Sequence, residues 1–176
     1  MTPSQRGVAI GALTALAVTL AALAGAAYWL PLPQSETMLP GRLRLFTLCS
    51  LAPALALAVA IARLARHRFC TPEDIDGSGL SAGSNRAKVL QALLQNTLEQ
   101  SVLAWPVYGW WALAGPATTL AVVPVAATLF VLGRMLFFAR YSRGAAGRAP
   151  GFGLTFYPTV VLLATALMLG ANDAIS

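Results

Sequence analysis

Long runs without a charged residue are the feature that most restricts what this chain can form. Residues 7–30 are twenty-four consecutive uncharged residues. A helix rises about 1.5 Å per residue, so this run exceeds the roughly 30 Å hydrocarbon core of a bilayer. Four further apolar runs follow, from residue 43 or 45 to 61 and at residues 86–104, 117–139 and 154–170. We therefore predict five transmembrane helices in an all-α integral membrane protein.

The composition excludes a water-soluble domain. Hydrophobic residues make up 57% of the chain and charged residues 10%, against about 45–50% and about 25% in soluble domains. The net charge of +6 comes from basic residues beside the apolar runs. This placement is typical of membrane topology and not of a nucleic-acid-binding face. Cys49 and Cys70 have neither disulfide-framework nor metal-ligand spacing, so we expect free thiols and no metal site.

The first apolar run has two interpretations. Arg6 precedes it and Ala24-Gly25-Ala26 is similar to a signal-peptide cleavage site. However, the apolar region of a signal peptide has about 7–15 residues. We therefore predict a retained helix. A segment punctuated by prolines follows it, and a polar loop at 69–85 with a helix start near Ser84 or Asn85 separates the second and third runs.

Positive charges predict the orientation. They concentrate before the first run, between the second and third, and between the fourth and fifth, which favours a cytoplasmic N-terminus and an external C-terminus. One lysine, eleven arginines and abundant alanine are typical of GC-rich bacteria, so we expect a multi-pass protein of a bacterial inner membrane. An aromatic cluster around Pro106 predicts a membrane-surface belt: Trp105, Tyr108, Trp110 and Trp111.

Three polar positions inside the predicted spans most need an explanation: Asn96, Glu99 and Arg134. An ionisable group at membrane depth costs about 2.5–3.5 kcal/mol, so each needs a partner or a function. Asn96 and Glu99 belong to one polar stripe of the third span. Arg134 shares a helix face with Tyr141, which leads to Arg140, Arg143 and Arg148. Guanidinium groups bind carboxylates, while Glu and Asn accept N–H groups, so a small anionic, amide-rich ligand would fit.

A structural interpretation accounts for the same residues. Glu99 could pair with Arg134 to hold two helices together, because polar side chains on membrane helices commonly bond neighbouring helices. Arg140, Arg143 and Arg148 could anchor the chain at lipid head groups. The residue types alone leave both interpretations open.

Two segments resemble the MAPEG family, the membrane-associated proteins in eicosanoid and glutathione metabolism. Gln95-Asn96-Thr97-Leu98-Glu99-Gln100 is similar to the family's Asn-x-x-Glu helix motif. The segment from Gly133 to Arg143, followed by Arg148, is similar to its Arg-rich, Tyr-containing stretch. The resemblance implies a four-helix transmembrane bundle at 42–176 that forms a homotrimer, with residues 1–41 as an additional N-terminal helix and Pro-rich connection.

The same resemblance implies glutathione as co-substrate and a hydrophobic small-molecule electrophile that enters from the membrane lipids. By position, Asn96 and Glu99 would hold the peptide part, and Arg134 and Tyr141 its carboxylate and backbone groups. Arg148 would lie beside the sulfur as the catalytic residue. Arg63 or Arg66 would supply the arginine that the family has at the end of its first helix. The implied activity is that of a glutathione-dependent transferase or peroxidase.

The chain departs from the family pattern at three positions. Ala92 stands where active members usually carry arginine, Gln100 where an aromatic residue is common, and Phe137 where a tyrosine is expected. These departures motivate an alternative function, a non-catalytic membrane scaffold or lipid-binding protein that keeps the bundle.

Overall fold

The computed structural model describes residues 1–77 and 80–173, and within them the chain is helical apart from short connections. Ser78 and Gly79 of the predicted polar loop, and residues 174–176, lie outside the described part. Six α-helices follow one another in the described residues: α1 (Pro3–Trp29), α2 (Gln34–Thr37), α3 (Leu39–Cys70), α4 (Asn85–Ala114), α5 (Val122–Arg140) and α6 (Gly144–Asp173). Five of the six are long, and the single-turn α2 lies in the Pro-rich connection. The all-α fold class is confirmed.

In the part of the chain that the structure describes, three segments are long and apolar enough to cross a membrane: Pro3–Trp29, Leu39–Cys70 and Ala117–Asn172. The third segment contains both α5 and α6, which fold back on each other at Gly144, where the positive φ of 79° suits glycine. Helix α4 is not one of these segments, because its polar residues lower its mean hydropathy. It nevertheless packs along α3 within the bundle, so its crossing of the membrane stays a prediction.

The helices extend beyond the predicted runs at several ends. Helix α3 begins at Leu39 and continues to Cys70, and α6 begins ten residues before the predicted start at 154. Helix α4 continues through Pro106 to Ala114. The predicted aromatic belt is therefore wrong for Tyr108 and Trp111, which are buried in the bundle interior. Packing explains the difference, since the Trp111 indole donates a 2.9 Å hydrogen bond to the Leu162 carbonyl of α6.

Close approach joins α1 to α6, which run parallel. A Cβ atom added at Gly7 would lie 2.7 Å from Ala146 Cβ, and one added at Gly11 would lie 2.9 Å from Pro150 Cδ. One turn further, Gly153 of α6 faces Ala15 in the same way. Small residues four apart let helix backbones approach closely in membranes. This stripe packs α1 closely against α6.

The predicted loop after α3 is held by a buried carboxylate. Asp74, 1% exposed, accepts hydrogen bonds from the Ser84 hydroxyl at 2.6 Å and the Ser84 backbone N–H at 2.7 Å. His67 Nε2 lies 2.9 Å from the same carboxylate. The two Ser84 hydrogen bonds, followed by the His67 contact, lower the Asp74 pKa below its ordinary value. Ser84 is also the N-cap of α4, as the sequence predicts, and accepts from the Ala87 N–H.

Candidate functional site

A cavity of about 450 Å³ opens between α1, α4, α6 and the turn after α5. Its volume lies within the range of about 300–1,000 Å³ that is typical of ligand pockets. We call it the central pocket. Three of the predicted site residues line it: Asn96, Tyr141 and Arg148. The other lining residues are mostly small or aromatic: Val8, Ala12, Ala92, Phe137, Ala145, Ala149, Phe152 and Tyr157.

Two aromatic rings stacked between two guanidinium groups form one side of the central pocket. The Arg148 guanidinium carbon lies 4.6 Å from the centre of the Tyr141 ring. Tyr141 packs edge-on against Phe137, with ring centres 5.3 Å apart. Phe137 in turn lies 4.4 Å from the guanidinium carbon of Arg134. Cation–π contacts therefore connect the pocket surface to a charge in the bundle interior and restrict the position of Arg148.

Arg134 lies behind the pocket wall. It is 2% exposed, and its Nη1 donates a 2.8 Å hydrogen bond to Asn96 Oδ1 while its Nε donates a 3.0 Å hydrogen bond to the Thr155 hydroxyl. Nη2 has no hydrogen-bond partner among the described residues. The positive charge is thus only partly satisfied, next to the amide that faces the pocket.

Glu99 does not join this group. Its carboxylate accepts a 3.0 Å hydrogen bond from the Gln95 amide on the exposed side of α4. The hypothesis of a Glu99–Arg134 pair is therefore wrong, because Arg134 bonds Asn96 and Thr155 instead. One turn of α4 separates residues 95 and 99, so the two side chains lie together on the exposed face of the helix and can bond each other, while Asn96 points towards α5.

Arg63 and Arg66 lie outside the central pocket as well. Together with Arg86 and the exposed Cys70 they line a second cavity of about 340 Å³, which we call the basic cleft. The Arg63 guanidinium carbon lies 5.2 Å from the Phe138 ring centre. Within one chain, the candidate arginines of α3 and the candidate residues of α4 to α6 therefore occupy separate surfaces.

A third cavity, of about 360 Å³, lies under the loop that Asp74 holds and is lined by Arg68, Lys88 and Gln95 among others. Ala92 lines both this cavity and the central pocket. The sequence did not single out Val8, Ala12, Phe152 or Tyr157 as pocket residues. Only for α1 does the sequence contain a pattern that could have indicated close helix packing, namely small residues four apart at Gly7, Gly11 and Ala15.

Comparison with protein-family models gives one match, to the MAPEG family over residues 43–168. The match covers more than two thirds of the sequence, from the beginning of α3 to near the end of α6. The chain belongs to the MAPEG family. Searches of the curated proteins and of the solved structures found no significant match. Family membership and the apolar helices together make this an integral membrane protein.

Both motif segments of this MAPEG protein lie within the matched residues, and so do Asn96, Arg134, Tyr141 and Arg148. Helix α1 precedes the match. The central pocket therefore combines the family bundle with an additional element of this chain, since Val8 and Ala12 belong to α1.

Proposed function

We propose that this MAPEG protein is a membrane-bound, glutathione-dependent transferase or peroxidase that acts on hydrophobic electrophiles. One observation carries the proposal, namely that Asn96, Tyr141 and Arg148 meet in a single cavity. The family includes glutathione-dependent transferases and peroxidases, and this cavity carries the groups that such a co-substrate needs.

The chemistry of glutathione fits the groups present. It has two carboxylates, an ammonium group, peptide amides and a thiol. Arg148 offers a half-buried guanidinium group to a carboxylate or a thiolate. The Asn96 amide can bond a peptide group, and Arg134, behind the pocket wall, holds that amide through the hydrogen bond from its Nη1 and adds a positive charge that favours a ligand carboxylate nearby. The aromatic side chains Phe152 and Tyr157 supply an apolar region for the second substrate.

Arg148 would act by favouring the thiolate, which is the reactive form of a thiol. In a transfer reaction the sulfur forms a bond to the electrophilic carbon, the thiol proton passes to solvent, and the leaving group departs with its electron pair. In a peroxidase reaction two glutathione molecules reduce one hydroperoxide. The products are then one alcohol, one water and one glutathione disulfide.

We further propose a homotrimer in which Arg63 or Arg66 of one subunit approaches the central pocket of the next. Two features support this proposal. The candidate arginines lie in the basic cleft, away from the other candidate residues of the same chain. Glu99 and Gln95 are exposed on α4, where contact with lipid would be costly and contact with protein would not.

The orientation and compartment follow from the arginines. Arg63, Arg66 and Arg148 lie near helix ends that carry much of the positive charge of the chain. By the positive-inside rule this side faces the cytoplasm. We therefore place the opening of the central pocket, and the N-terminus, on the cytoplasmic side of a bacterial inner membrane.

Equilibrium binding of glutathione to the purified protein in lipid nanodiscs tests the function. We expect saturable binding at millimolar ligand or below, weakened at least about tenfold by Arg148→Ala, since charged hydrogen bonds contribute about 1.5–3 kcal/mol. Arg143→Ala is the matched control, because Arg143 is exposed and does not line the pocket. Absence of saturable binding to the wild-type protein would refute the proposal.

A further inference from the structure

Helix α1 forms part of the wall of the central pocket. Val8 and Ala12 line the cavity from α1, and Asn96 lines it from α4. Both α1 residues are half-buried. The family match begins only at residue 43, so this wall is a feature of this chain in addition to the family bundle.

The packing of α1 against α6 fixes the position of this wall. Gly7, Gly11 and Ala15 keep α1 against α6 along three turns, and the separations leave no room for a side chain at either glycine. Because Val8 and Ala12 are neighbours of these glycines, their distance from the opposite side of the pocket is set by the same contact. Widening of the pocket at this point would require separation of two closely packed helices.

The wall is also chemically distinct from the rest of the pocket. Its two side chains are small and apolar, whereas Asn96 and Arg148 supply the polar groups. An isopropyl and a methyl group cannot bind the charged groups of a peptide, but they can limit the size of an apolar substrate beside the sulfur.

We propose that α1 is a specificity element, in which Val8 and Ala12 set the largest hydrophobic electrophile that can reach the thiol. This inference rests on the proposed function, since it concerns the second substrate of the same site. Compact electrophiles pass the wall, and electrophiles with a bulky group next to the reacting carbon are excluded in proportion to their size.

Two enones of different bulk test this role. In both but-3-en-2-one and trans-4-phenylbut-3-en-2-one the glutathione sulfur adds to C4, and C3 receives a proton from solvent. We expect Ala12→Phe to lower kcat/KM for the phenyl compound about tenfold more than for the compact one, the size of effect that pocket fit commonly gives. Val8→Ala should raise the relative rate of the phenyl compound.

Ala17→Phe is the matched control, since it introduces the same side chain on the exposed face of the same helix. It should leave the ratio of the two rates within about twofold of wild type. Glutathione binding, measured separately, should change little in Ala12→Phe. An unchanged ratio in Ala12→Phe would overturn the role of α1.

A labelling experiment decides the position of the wall even if the wild-type protein lacks conjugating activity. Ala12→Cys and Ser4→Cys are each made together with Cys70→Ser and treated with methyl or benzyl methanethiosulfonate; Ser4 is exposed and lies before the apolar run, so it is the control for an open position. The cysteine thiolate forms a disulfide with the reagent and releases methanesulfinate. We expect position 12 to react much more slowly with the benzyl reagent, and position 4 to accept both. Equal reaction of position 12 with both reagents would overturn the inference, whereas missing conjugation with size-selective labelling would refute only the proposed function.

Discussion

Arg134 and Asn96 join α5 to α4 behind the central pocket, through a 2.8 Å hydrogen bond from Nη1 to Oδ1. No carboxylate lies within 4 Å of the guanidinium group among the described residues, so its charge is not neutralised there. An ionised group at membrane depth costs about 2.5–3.5 kcal/mol. A buried guanidinium group without a carboxylate beside it therefore favours a role in binding an anion over a role in holding two helices together.

Arg134→Met separates these two roles. We expect the variant to be as stable as wild type or more stable without ligand, because it removes a buried charge and keeps a side chain of similar length. The rise in melting temperature caused by glutathione should disappear. Thermal unfolding in detergent, with and without glutathione, measures both effects. A clear loss of stability without ligand would instead favour the scaffold function.

The variant Arg148→Ala tests whether this arginine stabilises the thiolate of bound glutathione. We expect it to reduce the fraction of bound glutathione present as thiolate more than it reduces binding, because the guanidinium group stabilises the anion selectively. Ultraviolet absorbance of the thiolate at saturating glutathione reports the first quantity, and equilibrium binding the second. Arg143→Ala serves again as the control. An unchanged thiolate fraction at saturating glutathione, together with weaker binding, would assign Arg148 to binding alone.

The sequence predicted three polar or charged residues of the pocket and missed its aromatic residues on α6. Asn96, Tyr141 and Arg148 were found because polar groups are rare in apolar helices and because helical periodicity places Arg134 and Tyr141 on one face. The same periodicity failed for Glu99. Asn96 and Glu99 differ by about 60° around the helix axis, which is enough to place them on two faces of α4. Glu99 lies on the exposed face, where it bonds Gln95.

The contribution of α1 depends on packing between distant segments, and hydropathy contains no information about it. Val8 and Ala12 resemble every other apolar residue of that helix in the sequence. Their role becomes visible only through the contact of Gly7 and Gly11 with α6. Tyr108 and Trp111 are a similar case, since aromatic residues near a helix end fit a membrane surface and a bundle interior equally well.

Gly11→Leu tests the contact between α1 and α6. The new side chain would collide with Pro150 and Ala149, so we expect destabilisation of about 1–3 kcal/mol, typical of overpacking. Ala17→Leu, on the exposed face of α1, should have little effect. Melting temperatures in the same detergent provide the comparison. A Gly11 variant as stable as the Ala17 variant would contradict the close approach of the two helices.

The lowered pKa of Asp74 predicts that the folded protein becomes less stable in acid. Hydrogen bonds from Ser84 lower its pKa in the folded protein below the ordinary value of 3.8. A lowered pKa stabilises the folded state above the unfolded value, and the contribution is lost as the pH falls through the folded value. We therefore expect the stability of the wild type to decrease more steeply than that of Asp74→Asn below about pH 4. Thermal unfolding across this range checks the difference, and identical pH profiles would contradict it.

Mixed oligomers test whether Arg63 or Arg66 reaches the pocket of a neighbouring subunit. Subunits with Arg148→Ala retain a normal basic cleft, and subunits with Arg63→Ala and Arg66→Ala retain a normal pocket. Each variant alone should be nearly inactive. Co-assembly in equal amounts should restore roughly a quarter of the sites, because each complete site needs one subunit of each type in the correct order around a cyclic assembly. Mixing after separate assembly is the control and should restore nothing. If the α3 arginines act within their own chain, the subunits with an intact pocket gain nothing from their neighbours, and co-assembly will also remain inactive.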